Sequence, residues 1–288
     1  MKEITILSGK GGTGKTSITA ALATVAEKAV FCDNDVDAAD LHLIFSPKVK
    51  ASQVFLSAWQ AQIDPQKCTA CGLCQDYCRF DAIHTLEDGI RQVNPFQCEG
   101  CQLCEKVCPQ EAISSKQSDK NQWYISDTRF GTLVHAHMGP GEENSGKLVT
   151  EVRQQARRQA EMQRQDYLLN DGPPGIGCTV ISALSGTDAV LLVIEPSKSG
   201  FHDVSRLVEL IQTFGISVYA LINKYDINEG LLDEIKAFLK DKKIPLIAQL
   251  PFDKKMVEAL TQGQTIVEYA PQSEIAQQIQ KVWNVLKA

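Results

Sequence analysis

The sequence lacks the usual features of membrane-bound and nucleic-acid-binding proteins. It has no run of about 18 apolar residues, the length that a membrane-spanning helix requires. Its net charge is −6, so it lacks an excess of basic side chains to bind nucleic acid or an anionic membrane. The N-terminus leads directly into a short apolar strand rather than a signal peptide. We therefore expect a cytoplasmic protein with no membrane span and no nucleic-acid partner.

Histidines are also few, whereas cysteines are numerous. The five histidines are scattered, and His135 and His137 alternate as on a strand, which is typical of structural residues. Eight of the ten cysteines fall between residues 68 and 108 at short regular spacings. Such spacing indicates metal ligation rather than disulfide bonds. The 288 residues suffice for a full α/β core and one small further domain.

Residues 9–16 match the phosphate-binding pattern G-x-x-x-x-G-K-[ST]. They lie between an apolar strand at 3–7 and a predicted helix over 16–28, whose N-terminus would face a phosphate. Glycines allow successive backbone N–H groups to turn toward that phosphate, Lys15 reaches the β- and γ-phosphates, and the Thr16 hydroxyl ligates Mg²⁺. The predicted nucleotide-binding residues here are Gly9, Lys10, Gly11, Gly12, Thr13, Gly14, Lys15, Thr16 and Ser17.

The loop has an extra lysine, Lys10, directly after its first glycine. The resulting K-G-G-x-G-K-T resembles the deviant Walker A motif of the superfamily that includes MinD, ParA, the arsenite-pump ATPases, Mrp-type ATPases and the nitrogenase iron protein. In that superfamily the corresponding lysine reaches the partner subunit's nucleotide across a two-fold axis. The resemblance implies that Lys10 acts in trans in a nucleotide-dependent homodimer. A solvated loop lysine is the alternative.

Acidic residues follow the second predicted strand, at residues 29–32. Carboxylates at the C-terminal end of a parallel strand point into the crevice where α/β sheets bind ligands. The resemblance implies that this segment is switch I, in which Asp33 and Asp35 orient water and hold the metal shell. Asp37 is a third candidate for activating water. Its alternative role is to cap the helix that follows.

A second acidic strand end occurs near residue 171. Residues 166–175 have the pattern of a buried strand and finish in D-G-P-P-G. By the same resemblance, Asp171 is the Walker B aspartate, which holds Mg²⁺ through water, and residues 172–175 are switch II. Cys178 lies seven residues beyond Asp171, where the nitrogenase iron protein has a cluster-bridging cysteine. We expect Cys178 to be a small buried residue first and a weak or transient cluster ligand second.

A glycine-rich turn at residues 139–147 precedes a helix predicted over 147–165. The second bridging cysteine of the nitrogenase iron protein follows a similar Gly-Pro turn, where this chain offers Asn144 and Ser145. We expect the turn either to contact a partner subunit, a nucleotide or a substrate, or to cap the helix at Ser145.

Two segments near the C-terminus concern the nucleotide base. Residues 223–226 follow an apolar strand and fit N-K-x-D, the guanine-reading motif of GTPases. In the superfamily that this chain resembles, an asparagine at this strand end contacts adenine, which assigns that role to Asn223. Pro251 and Asp253 belong to a P-F-D turn that resembles the second base-contacting turn. ATP is favoured, and GTP is the alternative.

The cysteine segment contains an internal duplication. C-x2-C-x2-C-x3-C begins at Cys68 and recurs at Cys98, and D-A-I at 81–83 recurs as E-A-I at 111–113 with the same offset. Three cysteines on a tight loop hold three corners of one cube, and the fourth lies too far along the chain to close it, so it ligates the other cluster. We predict one [4Fe–4S] centre at Cys68, Cys71, Cys74 and Cys108, and a second at Cys98, Cys101, Cys104 and Cys78.

This segment resembles the bacterial two-cluster ferredoxins over about 50 residues. It departs from them at Arg79, which stands where the second motif has Pro109. We expect Arg79 to leave an N–H group near the second centre and to change its potential. Zinc is the alternative metal, but paired four-cysteine motifs with short x3 steps favour iron–sulfur clusters.

Together these features predict an α/β fold with a doubly wound, mostly parallel P-loop sheet and a small inserted α+β domain of ferredoxin type. The sheet domain is expected at residues 1–60 and 116–288, and the insertion at 61–115. The predicted activity is ATP hydrolysis coupled to electron transfer through two [4Fe–4S] clusters to an unknown redox or iron–sulfur acceptor protein. The alternatives are an ATP-dependent iron–sulfur cluster carrier or scaffold, and a positioning ATPase like ParA and MinD.

Overall fold

The computed structural model describes residues 1–87, 89–142 and 145–288. The strands are β1 (Lys2–Ser8), β2 (Ala29–Asp33), β3 (Lys48–Phe55), β4 (Trp59–Ile63), β5 (Ile83–Thr85), β6 (Arg91–Val93), β7 (Ile113–Gln117), β8 (Asn121–Thr128), β9 (Gly131–His137), β10 (Tyr167–Pro174), β11 (Ala189–Ile194), β12 (Ser217–Asn223) and β13 (Leu246–Leu250). The helices are α1 (Lys15–Val25), α2 (Leu41–Phe45), α3 (Leu73–Asp76), α4 (Leu103–Val107), α5 (Ser145–Met162), α6 (Cys178–Leu184), α7 (Lys198–Gln212), α8 (Glu229–Asp241), α9 (Lys254–Thr261), α10 (Ile266–Tyr269) and α11 (Glu274–Leu286), with a 3-10 turn at Tyr225–Ile227.

The chain divides into two compact units. The first comprises Met1–Ser52, Trp123–His137 and Ser145–Ala288, and the second comprises Gln53–Gln122 and Met138–Asn144. The second unit is longer than the insertion predicted at 61–115, because β4 and β7 pair with each other and bring the flanking segments with them. The structure therefore places the division beyond the cysteine segment on both sides.

The first unit contains a sheet with the order β13-β12-β11-β1-β10-β2-β9-β8-β3. The strands from β13 to β9 pair in parallel, which confirms the predicted α/β class with a mostly parallel sheet. β1 lies between β10 and β11, and β10 lies between β1 and β2. The carboxyl ends of β1, β2 and β10 therefore adjoin one another, and the register pairs Asp33 directly with Asp171.

Both faces of this sheet are covered by helices. Along β11, Leu191 and Val193 belong to one hydrophobic cluster, and Val190, Leu192 and Ile194 belong to another. This alternation explains why the strand is a continuous apolar run. In α11 an apolar stripe at helical spacing is buried in the first cluster, and its members are Ile275, Ile279, Val282, Trp283 and Leu286. None of the helices in the described ranges is long and apolar enough to cross a membrane.

A buried charged group ties α5 to the first strand. Glu3 is 2% exposed, and its Oε1 accepts hydrogen bonds from Arg153 Nε at 3.0 Å and from Asn170 Nδ2 at 2.8 Å. Its Oε2 accepts from Arg157 Nε at 2.6 Å. Two guanidinium groups, those of Arg153 and Arg157, pair with this buried carboxylate. The group fixes α5 beneath β10, the strand that carries Asp171.

The second unit repeats its own secondary structure. β4 pairs antiparallel with β7, β5 pairs antiparallel with β6, and α3 and α4 follow the first cysteines of the two motifs. At the offset of 30 residues that relates Cys68 to Cys98, α3 corresponds to α4, β5 to β7, and β4 to β6. Each sheet therefore combines one strand from each half of the duplication, and the two halves share one small core.

His135 lies buried in the first unit between two aromatic neighbours. Its ring stacks on Tyr124 with centroids 5.1 Å apart and faces His42 at 6.2 Å. Burial, with a smaller effect from His42, lowers the pKa of His135 to about 4. The predicted structural role of His135 therefore has a measurable consequence.

We expect acid to destabilise the folded chain through His135. The folded state favours the neutral ring, whereas the unfolded chain binds a proton below pH of about 6.5. Because of this group, the free energy of unfolding should be about 2 kcal/mol lower at pH 5 than at pH 7. Urea unfolding at both pH values would measure the difference, and His135→Gln should remove it. The exposed His137→Gln is the matched control, and an equal pH dependence in both variants would contradict this assignment.

Candidate functional site

The carboxyl ends of β1, β2 and β10 open into one cavity of about 1080 Å³, which includes the space at its mouth. The phosphate loop forms one wall, and the segments that follow β2 and β10 form the others. Parallel α/β sheets bind ligands at this edge. The lining residues are Ser8, Gly11, Gly12, Thr13, Gly14, Lys15, Thr16, Ser17, Asp35, Asp37, Ala38, Asp40, Pro173, Pro174 and Thr179.

A hydrogen bond from the Asn223 side chain stabilises the phosphate loop. The Asn223 Nδ2 donates to the Thr13 carbonyl oxygen at 2.8 Å. Gly14 has φ 91°, and a Cβ there would lie 2.5 Å from that Nδ2, so only glycine fits. The Thr13 Oγ1 atom is buried and has no hydrogen-bond partner among the residues described. A phosphate oxygen in the cavity would satisfy it.

Lys15 lines the cavity and pairs with the buried Asp171. The Lys15 Nζ lies 2.9 Å from Asp171 Oδ2 and 3.6 Å from Asp35 Oδ2. Asp171 also accepts hydrogen bonds from the hydroxyl groups of Thr16 and Thr19, each at 2.7 Å. Thr19 was not among the predicted residues. Its position one helical turn beyond Lys15 could have indicated it.

Burial shifts the protonation of these groups. Burial by itself would lower the pKa of Lys15, but Asp171, Asp35 and Asp33 outweigh it and raise that pKa above its ordinary value. Burial, followed by the charge of Asp171, raises the pKa of Asp33 well above its usual range. Burial also raises the pKa of Asp35 to about 6, although Lys15 opposes the shift. Asp35 can therefore exchange a proton near neutral pH.

The three predicted switch I aspartates occupy different positions. Asp35 and Asp37 line the cavity, whereas Asp33 is fully buried. Asp33 accepts hydrogen bonds from the backbone N–H groups of Asp35 at 3.2 Å and Leu41 at 3.1 Å. Asp33 thus shapes the loop that presents the other two carboxylates.

Lys10 lies outside the cavity lining and is engaged within its own chain. Its Nζ lies 3.6 Å from Glu195 Oε1 and donates to Ser199 Oγ at 3.4 Å. The other oxygen of Glu195 lies 2.7 Å from Lys224 Nζ, which also donates to the Gly12 carbonyl oxygen at 3.0 Å. Neither Glu195 nor Lys224 was predicted to contact the phosphate loop. Both follow strand ends at the same edge of the sheet as the loop.

The predicted base-contacting turns are joined to each other by Asp226. The Phe252 backbone N–H donates to Asp226 Oδ1 at 2.7 Å. Asp253 caps α9 by accepting from the Lys255 backbone N–H at 2.9 Å, and Pro251 directly follows β13. Asn223 and the turn at Pro251 therefore end adjacent strands.

Some predicted positions lie elsewhere. A Cβ at Gly9 would lie 2.7 Å from the Val204 backbone nitrogen, so Gly9 allows α7 to approach the loop rather than lining the cavity. Cys178 is exposed, so the expectation that it is buried is wrong: α6 begins there and buries Val180 and Leu184 instead. The predicted cap Ser145 is the first residue of α5, and Asn144 lies outside the described residues.

The cysteines of the second unit line two cavities, and each cavity combines cysteines from both motifs. The first cavity takes three cysteines from the first motif and the last cysteine of the second motif, and the second cavity takes the converse set. Apolar side chains complete both linings, with Ile63 and Ile113 in the first and Ala61 and Ile83 in the second. The cysteines are Cys68, Cys71, Cys74 and Cys108 in the first cavity, and Cys78, Cys98, Cys101 and Cys104 in the second.

Two of these thiols are stabilised in the protonated form. Burial raises the pKa of Cys74 and raises the pKa of Cys104 to about 11. A metal centre that bound them would therefore displace protons. Across residues 1–87, 89–142 and 145–288, no three His, Cys, Asp or Glu side chains converge closely enough to hold a single metal ion.

Comparisons with known proteins agree on the nucleotide-binding fold. The family described as the CobQ/CobB/MinD/ParA nucleotide binding domain matches residues 4–266. An uncharacterized protein of Methanocaldococcus jannaschii is 36% identical over 232 residues, 78% of this chain and 79% of that protein. The iron-sulfur cluster carrier protein of Rickettsia conorii is 34% identical over 97 residues, 33% of this chain and 30% of that protein.

Solved structures show the same fold. The septum site-determining protein MinD of Pyrococcus horikoshii, complexed with Mg-ADP, aligns with a TM-score of 0.59 at 21% identity. The alignment covers 100% of this chain and 98% of that chain. At this level of identity the likeness concerns the fold alone.

Proposed function

Because this chain belongs to the CobQ/CobB/MinD/ParA family of P-loop ATPases, we propose that it couples ATP hydrolysis to electron transfer through two [4Fe–4S] clusters. The observation that carries the proposal is the crosswise lining of the two cavities, each by four cysteines. The acceptor is an unidentified redox or iron–sulfur protein. The active unit is a nucleotide-dependent homodimer.

The residues at the phosphate loop fit a magnesium nucleotide. Lys15 would pair with the β- and γ-phosphates, and the Thr16 hydroxyl and Asp171 carboxylate would hold Mg²⁺, directly and through water respectively. Bound Mg²⁺ supplies charge neutralisation of the phosphates. The buried Thr13 hydroxyl and the glycine-only position at Gly14 support this assignment.

We assign water activation to the switch I carboxylates that face the cavity. Asp35 and Asp37 line it, and a pKa near 6 suits Asp35 to accept a proton from water at neutral pH. Asp33 has the role of holding the loop, because both of its oxygens accept backbone hydrogen bonds. Asn223, Pro251 and Asp253 would surround the base.

The cysteine cavities fit iron–sulfur clusters by their donor set. Four thiolates with apolar neighbours are the ligand set of a [4Fe–4S] centre, which supplies one-electron redox chemistry. A cube takes one thiolate at each of four corners, so its ligands surround it and need not converge on a point. This accords with four cysteines around each cavity.

We expect Lys10→Ala to separate nucleotide binding from hydrolysis. If Lys10 acts across the dimer, this variant should bind ATP normally but lose ATP-dependent dimerisation and most hydrolysis. In the single chain Lys10 lies beside Glu195, from which it must move to reach a partner. Sedimentation with and without ATP, together with phosphate release, would measure both effects. A monomeric Lys10→Ala protein with normal hydrolysis would refute the trans role.

The coupling itself predicts that nucleotide changes the clusters' midpoint potentials. Switch I and switch II flank the cysteine segment in the sequence, and both should respond to the γ-phosphate. Coupling is reciprocal, and a shift of about 59 mV in a one-electron centre corresponds to about 1.4 kcal/mol, within the usual range of ~1–3 kcal/mol.

The experiment begins with anaerobic reconstitution and analysis of iron and sulfide. Midpoint potentials are then measured without nucleotide, with ADP and with a non-hydrolysable ATP analogue. We expect different potentials in the three states. Equal potentials, with equal ATP affinity of oxidised and reduced protein, would contradict the coupling and favour a cluster carrier.

The carrier is the second candidate, supported by the partial match to the Rickettsia conorii protein. A carrier needs a cluster that leaves easily, whereas four cysteines at each site favour a tightly held one. Transfer of the reconstituted clusters to an apo-ferredoxin would distinguish the two. A positioning ATPase, which the family match and the fold shared with MinD support, predicts neither redox change nor transfer.

A further inference from the structure

The duplication allows the two cysteine cavities to be compared position by position. At the 30-residue offset, Ile63 in the first cavity corresponds to Val93 in the second, and Ile113 corresponds to Ile83. These pairs preserve apolar character. Two other pairs of equivalent positions change the charge of the lining.

The first of these pairs is Arg91 and Ala61. Arg91 lines the first cavity, and Ala61 occupies the equivalent position in the second. The Arg91 Nη1 donates to Thr85 Oγ1, and its Nη2 lies 3.3 Å from the place where a Cβ on Gly72 would be. Its Nε is buried and has no hydrogen-bond partner among the residues described. A guanidinium group is therefore held beside the cysteines of the first cavity with one buried donor unused.

The second pair is Thr69 and Glu99. Glu99 lines the second cavity, and Thr69 occupies the equivalent position in the first. Among the described lining residues, Arg91 is the one with a charged side chain in the first cavity, and Glu99 is the one in the second. Arg79, which follows the Cys78 ligand position, is exposed and lines neither cavity. The first cavity is thus the more positive and the second the more negative.

We infer that the two centres are unequal, and that the centre in the first cavity is reduced first because Arg91 faces it. The inference rests on the proposed presence of two [4Fe–4S] clusters. Reduction adds one electron to a cluster and its four thiolates, taking its charge from −2 to −3. A nearby positive charge stabilises the more negative state, and a negative charge disfavours it.

The inequality gives electron transfer a direction inside the chain. An electron delivered by an external one-electron donor to the second centre passes to the first. The second centre returns from the 1+ to the 2+ cluster state, and the first goes from 2+ to 1+. No proton or bond change is required. The first centre is therefore where the electron resides before it leaves for an acceptor.

The test is a redox titration of the fully reconstituted, nucleotide-free protein. Dithionite-poised samples are followed by electron paramagnetic resonance, and iron and sulfide are counted for each variant. We expect two separate waves in the natural sequence. Arg91→Ala, which copies the second cavity, should lower the upper wave, with the reduced-to-oxidised ratio at a fixed potential falling roughly tenfold, or about 59 mV.

Reciprocal and matched variants make the result specific. Ala61→Arg should raise the lower wave, and Arg91→Lys should keep most of the upper wave's potential because it keeps the charge. Lys106→Ala removes an exposed positive charge that lines neither cavity and should move neither wave appreciably. If Arg91→Ala loses iron, Ala61→Arg and Arg91→Lys still decide the question.

Two kinds of failure are distinguishable. Coincident waves in the natural sequence, or a lower wave that moves with Arg91→Ala, would overturn the inference while leaving the clusters in place. Absence of about eight iron atoms per chain and of the cluster signals would overturn the proposed function itself.

Discussion

Replacing Lys15 with alanine should abolish measurable nucleotide binding, with an expected loss of at least about 100-fold in affinity. The Lys15 ammonium group lies in the cavity, 2.9 Å from Asp171 and 3.6 Å from Asp35. Without it, the phosphates would lose a charge-assisted contact and would face two carboxylates that have lost their lysine partner. Both effects oppose binding of a polyanion.

Titration with a fluorescent ATP analogue in the presence of Mg²⁺ would measure this loss. Lys28→Ala is the matched control, because Lys28 follows α1 at its far end and pairs with Asp166 in an exposed contact of 3.3 Å. Thermal unfolding would verify that both variants fold. Affinity of Lys15→Ala within a few-fold of the natural sequence would contradict the assignment of the phosphate site.

Replacing Cys108 with serine should remove the cluster in the first cavity, although Cys108 belongs to the second cysteine motif. The cluster in the second cavity should remain. Cys108 lines the cavity with Cys68, Cys71 and Cys74 rather than with its sequence neighbours. A missing fourth thiolate opens one corner of the cube to solvent. Iron and sulfide should fall to about half.

Alkylation of the reconstituted protein would show which cluster is lost. Cys71 and Cys101 are both exposed and belong to different cavities, so each reports on one centre. In Cys108→Ser, Cys71 should become reactive and Cys101 should stay protected, whereas Cys78→Ser should give the reverse. Cys178→Ser, outside both cavities, should leave the iron content unchanged. Reactivity at Cys101 in Cys108→Ser would contradict crosswise ligation.

Patterns of neighbouring residues made a large part of this protein predictable from sequence. The phosphate loop is encoded within residues 9–17, because its shape depends on local glycines and a following helix start. The strand β11 is recognisable as a continuous apolar run, since a strand buried on both faces needs no other signal. The crosswise grouping of cysteines also followed from spacing, because a short chain segment limits which corners of one cube it can reach.

Helix ends and exposure were less predictable. The first helix ends at Val25 rather than Lys28, and Cys178 is exposed rather than buried. The end of the first helix and the exposure of Cys178 both depend on which residues pack against the sheet. A propensity for helix or for burial does not specify that point.

The amino-acid sequence by itself determined the family, the phosphate loop, the acidic strand ends and the duplicated cysteine motif, because each is a local pattern with its own chemistry. Only the tertiary structure decided that Lys10 and Lys224 share Glu195, and that Arg91 lines one cysteine cavity while its counterpart Ala61 brings no charge to the other. The physical reason is distance along the chain. Lys10 and Glu195 are 185 residues apart and meet only because parallel strands bring their ends to one edge.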